Sequence, residues 1–302
     1  MRRVLLAFLC LLLIAPTVAT VRAVAHGATP AASPSAEDGY AHPDWLVDTA
    51  WIDAHRDDPK VRIVALTPAD EFEAGHIPNA AQIDWPELKV VDTSDPSIAR
   101  WQDEVEAKLT ALGLAPDQTI VIYDGGTLFA ARLWWVLEQL GHEDKRILNG
   151  GLPSYVAAGG ELEEGPAHIQ PVAETYEGNP RPEVLASLEE VRASLDDPNV
   201  ALVDARTPEE YANGHIPGAV NVNFPRNAEP EIPKYWKSAD ELLALYADLG
   251  VTPDKQVIPY CATGVRSAVT YFTLRLIGYE DVALYTGSWD EWGNREDTPK
   301  ET

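Results

Sequence analysis

Residues 57–83 read DDPKVRIVALTPADEFEAGHIPNAAQI, and residues 196–222 read DDPNVALVDARTPEEYANGHIPGAVNV. The two stretches align without a gap at an offset of 139. Similarity of this length at one fixed separation marks a repeated unit. It continues downstream at an offset of 137. There Val121-Ile122-Tyr123-Asp124 meets Ile258-Pro259-Tyr260-Cys261, Leu140 to Asp144 meets Ile277 to Asp281, and Leu148-Asn149-Gly150 meets Tyr285-Thr286-Gly287. Because both ends of the unit match, a whole domain is duplicated. Inside the second copy, β-branched runs at 200–203, 220–223, 256–260 and 282–285 predict strands, and the segments 208–213, 239–249 and 267–277 predict helices. Short strands alternating with helices make an α/β fold with a mostly parallel sheet flanked by helices.

A chain of 302 residues with 45% apolar content has room for two cores of this kind. The charge balance is lopsided, with 48 acidic against 23 basic residues and a net charge of −25. No basic surplus exists to neutralise phosphates, so nucleic acid is excluded as a partner, and an anionic membrane surface is disfavoured. Two cysteines rule out a disulfide scaffold and a cysteine-built zinc site. The first 25 residues carry Arg2 and Arg3, an apolar run from Val4 to Ala15 and the small residues Ala23-Val24-Ala25. That order is a cleavable secretory signal, and the run is shorter than the roughly 20 residues that span a bilayer. The alternative is an uncleaved anchor. Cleavage would remove three arginines and no acid, taking the net charge from −25 to −28. It would leave a chain with one thiol, Cys261, exported and free of the membrane. Residues 26–39 then read as a flexible leader, 40–160 as the first domain, 161–182 as a linker rich in proline and glycine, and 183–297 as the second domain.

Cys261 ends a predicted strand and opens the loop Cys261-Ala262-Thr263-Gly264-Val265-Arg266-Ser267. Ligands in parallel α/β sheets sit beyond the carboxyl ends of strands, where such loops lead into helices. Gly264 permits a tight turn, successive N–H groups can form an anion-binding nest, and the following helix adds its positive end. Both favour a thiolate and so a nucleophile. Arg266 adds a cation at the rim. Ser267 has two uses that do not exclude one another, bonding the sulfur or capping the helix. The bland reading of Cys261 is a small buried hydrophobe.

In these motifs the chain resembles the tandem-domain rhodaneses, the thiosulfate and 3-mercaptopyruvate sulfurtransferases. The resemblance rests on Asp204-Ala205-Arg206, on Gly214-His215-Ile216-Pro217-Gly218-Ala219, on the cysteine loop and on Gly287-Ser288-Trp289-Asp290-Glu291-Trp292. In the first half it rests on Arg132-Leu133-Trp134-Trp135, Gly141-His142 and Leu148-Asn149-Gly150-Gly151. It covers roughly residues 40–295 and implies two rhodanese-like domains. It also implies that Cys261 takes the outer sulfur of a small anionic donor as a persulfide and passes it to cyanide or a thiol acceptor, small or protein-borne, without metal or cofactor. Cysteine phosphatases on the same fold place five residues between cysteine and arginine. Here four intervene, Ala262 to Val265. That shorter ring suits one sulfur better than a tetrahedral oxyanion. Phosphatase or arsenate reductase chemistry and a non-enzymatic sulfur-carrier role are the lesser alternatives.

At the place of Cys261 the first half carries Asp124, which cannot hold sulfane sulfur, so that half is expected to be catalytically silent and to wall the cleft. The resemblance implies that Arg132 faces the donor from this silent half; the competing expectation is that it pairs with Asp124. Arg206 and Trp289 are further candidates near the site. His76 and His215 recur in both halves, one of which has no nucleophile, and are expected to be structural. Small residues after the cysteine accompany 3-mercaptopyruvate in the family and a bulky basic one accompanies thiosulfate. Ala262 and Thr263, with Arg266 later, fit neither pattern. Two or three arginines converging on a dianion favour thiosulfate, with 3-mercaptopyruvate as the alternative donor.

Overall fold

The computed structural model describes residues 39–169 and 174–302. The expected signal segment 1–25, nearly all of the expected leader and residues 170–173 of the expected linker lie outside the described residues. The first half runs β1 (Leu46–Val47), α1 (Thr49–His55), β2 (Val61–Leu66), α2 (Ala69–Ala74), β3 (Ala81–Ile83), α3 (Asp95–Ala111), β4 (Thr119–Tyr123), α4 (Ala130–Gln139), β5 (Lys145–Leu148) and α5 (Gly151–Ala157). The second runs α6 (Leu188–Ala193), β6 (Val200–Asp204), α7 (Pro208–Ala212), β7 (Val220–Asn221), α8 (Ala239–Ala247), β8 (Gln256–Tyr260), α9 (Val265–Leu276) and α10 (Ser288–Trp292).

The first sheet has the order β1-β5-β4-β2-β3, parallel throughout, with Val64 of β2 opposite Ala81 on one side and Ile122 on the other. The second has the order β7-β6-β8. These strands are runs such as Val61–Leu66 and Val200–Asp204, buried along nearly their whole length, as parallel strands covered on both faces must be. The expected strand at 282–285 forms two isolated bridges in place of a ladder, Leu284 to Leu185 and Val282 to Val257. Around the second, Val257 N–H donates to Asp281, Ala283 N–H to Val257 and Tyr285 N–H to Pro259. The missing rung is the one Pro259 would donate, since proline has no N–H. In the first half Ile122 takes that place and the ladder from β4 to β5 is continuous.

The two halves meet through α4 and α9. All ten residues of α4 are buried, and nearly all of α9. A helix buried on every side lies inside a molecule, and here each half supplies one to the shared core. Trp134 meets Phe272 edge to face at a centroid distance of 5.0 Å, and one apolar cluster runs through both halves. Two smaller clusters fill the outer faces of the sheets. Each half also lays a strap on the other. Lys89 pairs with Asp290 at 2.7 Å and Thr93 bonds Glu291 through its N–H and hydroxyl, while Trp236 N–H returns to Asn149.

The stretch expected to be a linker docks on the first half where it is described. Glu163 exchanges backbone hydrogen bonds of 2.9 Å with His76, and the buried Tyr176 hydroxyl meets His142 Nδ1 at 2.9 Å. Glu301 makes the same backbone exchange with His215, so both copies close on their Gly-His-Ile-Pro turn in one way. Among the described residues no helix is long and apolar enough to cross a membrane.

Candidate active site

β8 delivers Cys261 to the interface between the halves. The buried Tyr260 hydroxyl accepts the Ile216 N–H at 3.0 Å, fixing the strand end to the Gly-His-Ile-Pro turn; Tyr123 does the same for Ile77. Cys261 N–H donates to Ser288 Oγ at 3.1 Å, and that hydroxyl donates onward to the Tyr285 carbonyl at 2.9 Å. The Cys261 carbonyl accepts the Trp289 N–H, and the Ala262 carbonyl the Asp290 N–H, each at 3.0 Å. The cysteine backbone is therefore held from both sides before the loop begins.

The sulfur receives two donors, Gly264 N–H at 3.2 Å and the Ser267 hydroxyl at 3.5 Å. Gly264 caps α9 with φ +85°, in the left-handed region. A Cβ there would lie 2.7 Å from Thr286 Oγ1, 2.8 Å from the Thr286 carbonyl and 3.2 Å from Arg132 Nη1, so conformation and space both require glycine. Because Gly264 is the cap, the capping role considered for Ser267 does not apply; its hydroxyl serves the sulfur. Cys261, Gly264, Val265 and Ser267 are buried, whereas Ala262, Thr263 and Arg266 are half-buried at the loop's outer side.

Arg132 reaches this loop from α4. Its Nη1 donates to Thr286 Oγ1 at 3.0 Å and to the Gly264 carbonyl at 3.4 Å, and its Nη2 to the Leu88 carbonyl at 2.5 Å. The guanidinium is fully buried over Trp135, at 4.8 Å from the ring centroid, and its Nε has no partner. The expected competitor, Asp124, is engaged elsewhere, so pairing between the two is corrected. Asp124 accepts N–H groups of Gly126, Thr127 and Ala130 at 2.6, 2.9 and 2.8 Å. Burial pushes its carboxyl above the ordinary range against the pull of those donors. Burial likewise lowers Arg132 to about 10, with the nearby Cys261 opposing, which leaves it a cation at neutral pH. Among the described residues no carboxylate pairs with it.

The other two arginines are committed. Arg206 grips Asp204 through Nε and Nη2, donates to the Gly214 carbonyl at 2.7 Å and stacks on Trp289 at 4.4 Å. Both candidates thus form a wall behind the Gly-His-Ile-Pro turn, and what meets the cysteine from Trp289 is its backbone N–H. Arg266 holds Glu210 bidentately at 2.7 and 2.8 Å. Of the two or three arginines expected to converge on the donor, Arg206 and Arg266 are therefore paired, and among the described residues no carboxylate holds Arg132. The histidines behave alike: His76 bonds the Phe72 carbonyl and His215 the Tyr211 carbonyl, each at 3.0 Å, and each stacks on that ring. Among the described residues no cluster of His, Cys, Asp and Glu could hold a metal ion.

Sequence reasoning missed Ser288, Glu210 and Thr286. The repeat carried a signal for the first. Ser288 aligns with Gly151, and both adopt positive φ, +56° and +60°. A serine where the fold asks for glycine marks a side chain with a task. Glu210 was visible as the last residue of the capping box Thr207-x-x-Glu210, but its partner was not.

The family model described as "Rhodanese-like domain" matches residues 48–158 and again 187–295. The chain is 38% identical over 295 residues to the "Sulfur carrier protein TtuD" of Thermus thermophilus, covering 86% of this chain and 98% of that one. It is 35% identical over 254 residues to a "Thiosulfate sulfurtransferase" of Pseudomonas aeruginosa, covering 80% and 92%. Among solved structures it matches SseA of Escherichia coli, described under the fold and mechanism of 3-mercaptopyruvate sulfotransferases, with a TM-score of 0.71, 31% identity and coverage of 81% and 98%.

Proposed function

Since the chain belongs to the rhodanese family, we propose that it is a thiosulfate sulfurtransferase working through a persulfide on Cys261. The observation that carries this reading is the sulfur's position: two donors aim at it, α9 starts behind it, and a buried, unneutralised Arg132 stands alongside. The thiolate attacks the outer sulfur of thiosulfate. A new S–S bond forms, the bond to the sulfite sulfur breaks, and its electron pair leaves with sulfite. The Gly264 N–H and Ser267 hydroxyl hold the resulting Cys261 persulfide until cyanide or a thiol removes the outer sulfur. In this reading the Ala262–Arg266 backbone lines the donor's path and Arg132 meets its charge, while the first half supplies a wall and no chemistry of its own.

Treatment with thiosulfate followed by intact-mass measurement should add one sulfur, about 32 Da, with sulfite released in equal amount. Cys261→Ser should add nothing and turn over nothing while melting like the parent; a variant that still transfers sulfur defeats the reading. One observation favours 3-mercaptopyruvate as a second donor. With Arg206 and Arg266 engaged, Arg132, which among the described residues pairs with no carboxylate, suits a monoanionic carboxylate as well as a dianion. Kinetics on both donors decide between them. A mass gain without multiple turnovers would mark a sulfur carrier instead.

The reading extends to location. Residues 1–25 have the order of a secretory signal, so the protein is proposed to work outside the cytoplasm and off the membrane once cleaved. Sequencing the amino terminus of the mature protein tests this.

A further inference from the structure

Arg266 lies in the loop that carries the nucleophile, yet its charge is already taken. Glu210 on α7 meets it with both oxygens, at 2.7 and 2.8 Å, and Glu210 Oε2 also accepts the Thr207 N–H at 3.0 Å. The acid is thus fastened by the helix cap and oriented at the arginine. The pair sits at the margin of the site, with the Arg266 side chain 19% and the Glu210 side chain 38% exposed, within reach of an incoming anion. The hydrogen bonds from Arg266 hold the carboxyl down at about 2, so it is ionised wherever the protein is folded and active. Arg266 in turn lies close enough to feel the Cys261 charge.

Resting on the sulfurtransferase reading above, we infer that Glu210 is a specificity-determining residue: it occupies Arg266, places a fixed negative charge beside the donor's path and disfavours dianionic sulfur donors relative to monoanionic ones. The physical basis is the scaling of Coulomb energy with donor charge. A carboxylate repels thiosulfate twice as strongly as a donor bearing one charge at the same place, and a donor anion must displace Glu210 before it can use Arg266. Arg132, which has no competitor, remains for the first charge of either donor.

Glu210→Gln isolates this charge, because glutamine also serves at the third position of a capping box. The two donors to compare are thiosulfate and methanethiosulfonate, which presents the same outer sulfur on a monoanion and releases a sulfinate in place of sulfite. In Glu210→Gln, kcat/KM for thiosulfate should rise on the order of tenfold and that for methanethiosulfonate only about threefold, a change carried by KM, since the gain in each logarithm follows the donor's charge. Glu210→Ala, which has no side-chain hydrogen bond at the position, should move the ratio the same way and guards against an effect peculiar to glutamine. An unchanged ratio of the two donors in both variants overturns the inference while leaving the sulfurtransferase reading standing. A parent protein that takes sulfur from neither donor overturns that reading instead, and is seen before any variant is made.

Discussion

Ser288 keeps a backbone conformation that side chains rarely adopt, and the hydroxyl it brings there receives the Cys261 N–H. The aligned Gly151 adopts the same conformation, for which glycine is suited, in the half that has no nucleophile. The strain at Ser288, about 1–3 kcal/mol for a residue held in this region, is therefore set against a bond that fixes the nucleophile's backbone. Ser288→Gly should unfold in denaturant near the parent's midpoint, because relief of strain offsets the lost bond, while kcat/KM drops about tenfold through a less well-placed cysteine. Ser288→Ala keeps the strain, leaves the N–H unpaired and should lose about 1–3 kcal/mol as well as rate. Full activity in the glycine variant would sink this account. Arg132 makes a second residue-level claim. Burial brings it to about 10, so it is protonated at neutral pH and loses its charge as pH rises through that value. Thiosulfate KM should accordingly climb above pH about 10, with the sign set by loss of the cation, and an Arg132→Gln variant that keeps the parent's KM at neutral pH would show that Arg132 does not meet the donor.

At the scale of elements, what decides the site is how the two buried helices start. Phe129, at the cap of α4, contributes no side-chain hydrogen bond, and Asp124 supplies one from the end of β4 by accepting the Ala130 N–H. The same carboxylate ties down Gly126 and Thr127, so the acid that silences the first half also sets the first turn of the helix that aims Arg132. Asp124→Ala should cost about 1–3 kcal/mol in chemical unfolding and raise the thiosulfate KM about tenfold with kcat less affected; Asn, which retains one oxygen, should recover part of both. Equal KM in parent and alanine variant would confine Asp124 to a structural role. The elements themselves were largely legible in the sequence because their causes are local. The strand at 256–260 has the bounds read from the sequence, and Gly264 sits at the turn that needs it. The irregular edge at 282–285 was also legible in principle, through Pro259, but only to a reader who asks which rung each N–H supplies. What stayed hidden depends on distances between elements far apart in the chain. No local pattern says that Arg266 closes on Glu210 or that Glu163 returns to His76.

For the whole molecule the question is how an anion reaches a buried thiol in a chain that carries 48 acidic and 23 basic residues. Global charge opposes the approach, since a net charge of −25 repels any anionic donor over distances of order the Debye length. The sequence alone pointed to two or three arginines meeting the donor, but Arg206 and Arg266 are neutralised where they stand. The attraction then comes from Arg132, the loop N–H groups and the start of α9, all enclosed between the halves. The repulsion comes from carboxylates on the surface. A diffuse ion cloud forms around the second set and not inside the enclosed first, so salt weakens repulsion more than attraction. Raising ionic strength from about 0.02 to about 0.2 M, which shortens the Debye length from roughly 20 to roughly 7 Å, should therefore lower the thiosulfate KM. The measurement is the rate of persulfide formation against thiosulfate at each salt concentration, with sodium gluconate in place of chloride so that the added anion does not compete for the cleft. A protein that guides its donor with an open cationic funnel shows the reverse, a KM that climbs with salt, and that result here would mean the positive charge lies outside the enclosed interface where Arg132 sits.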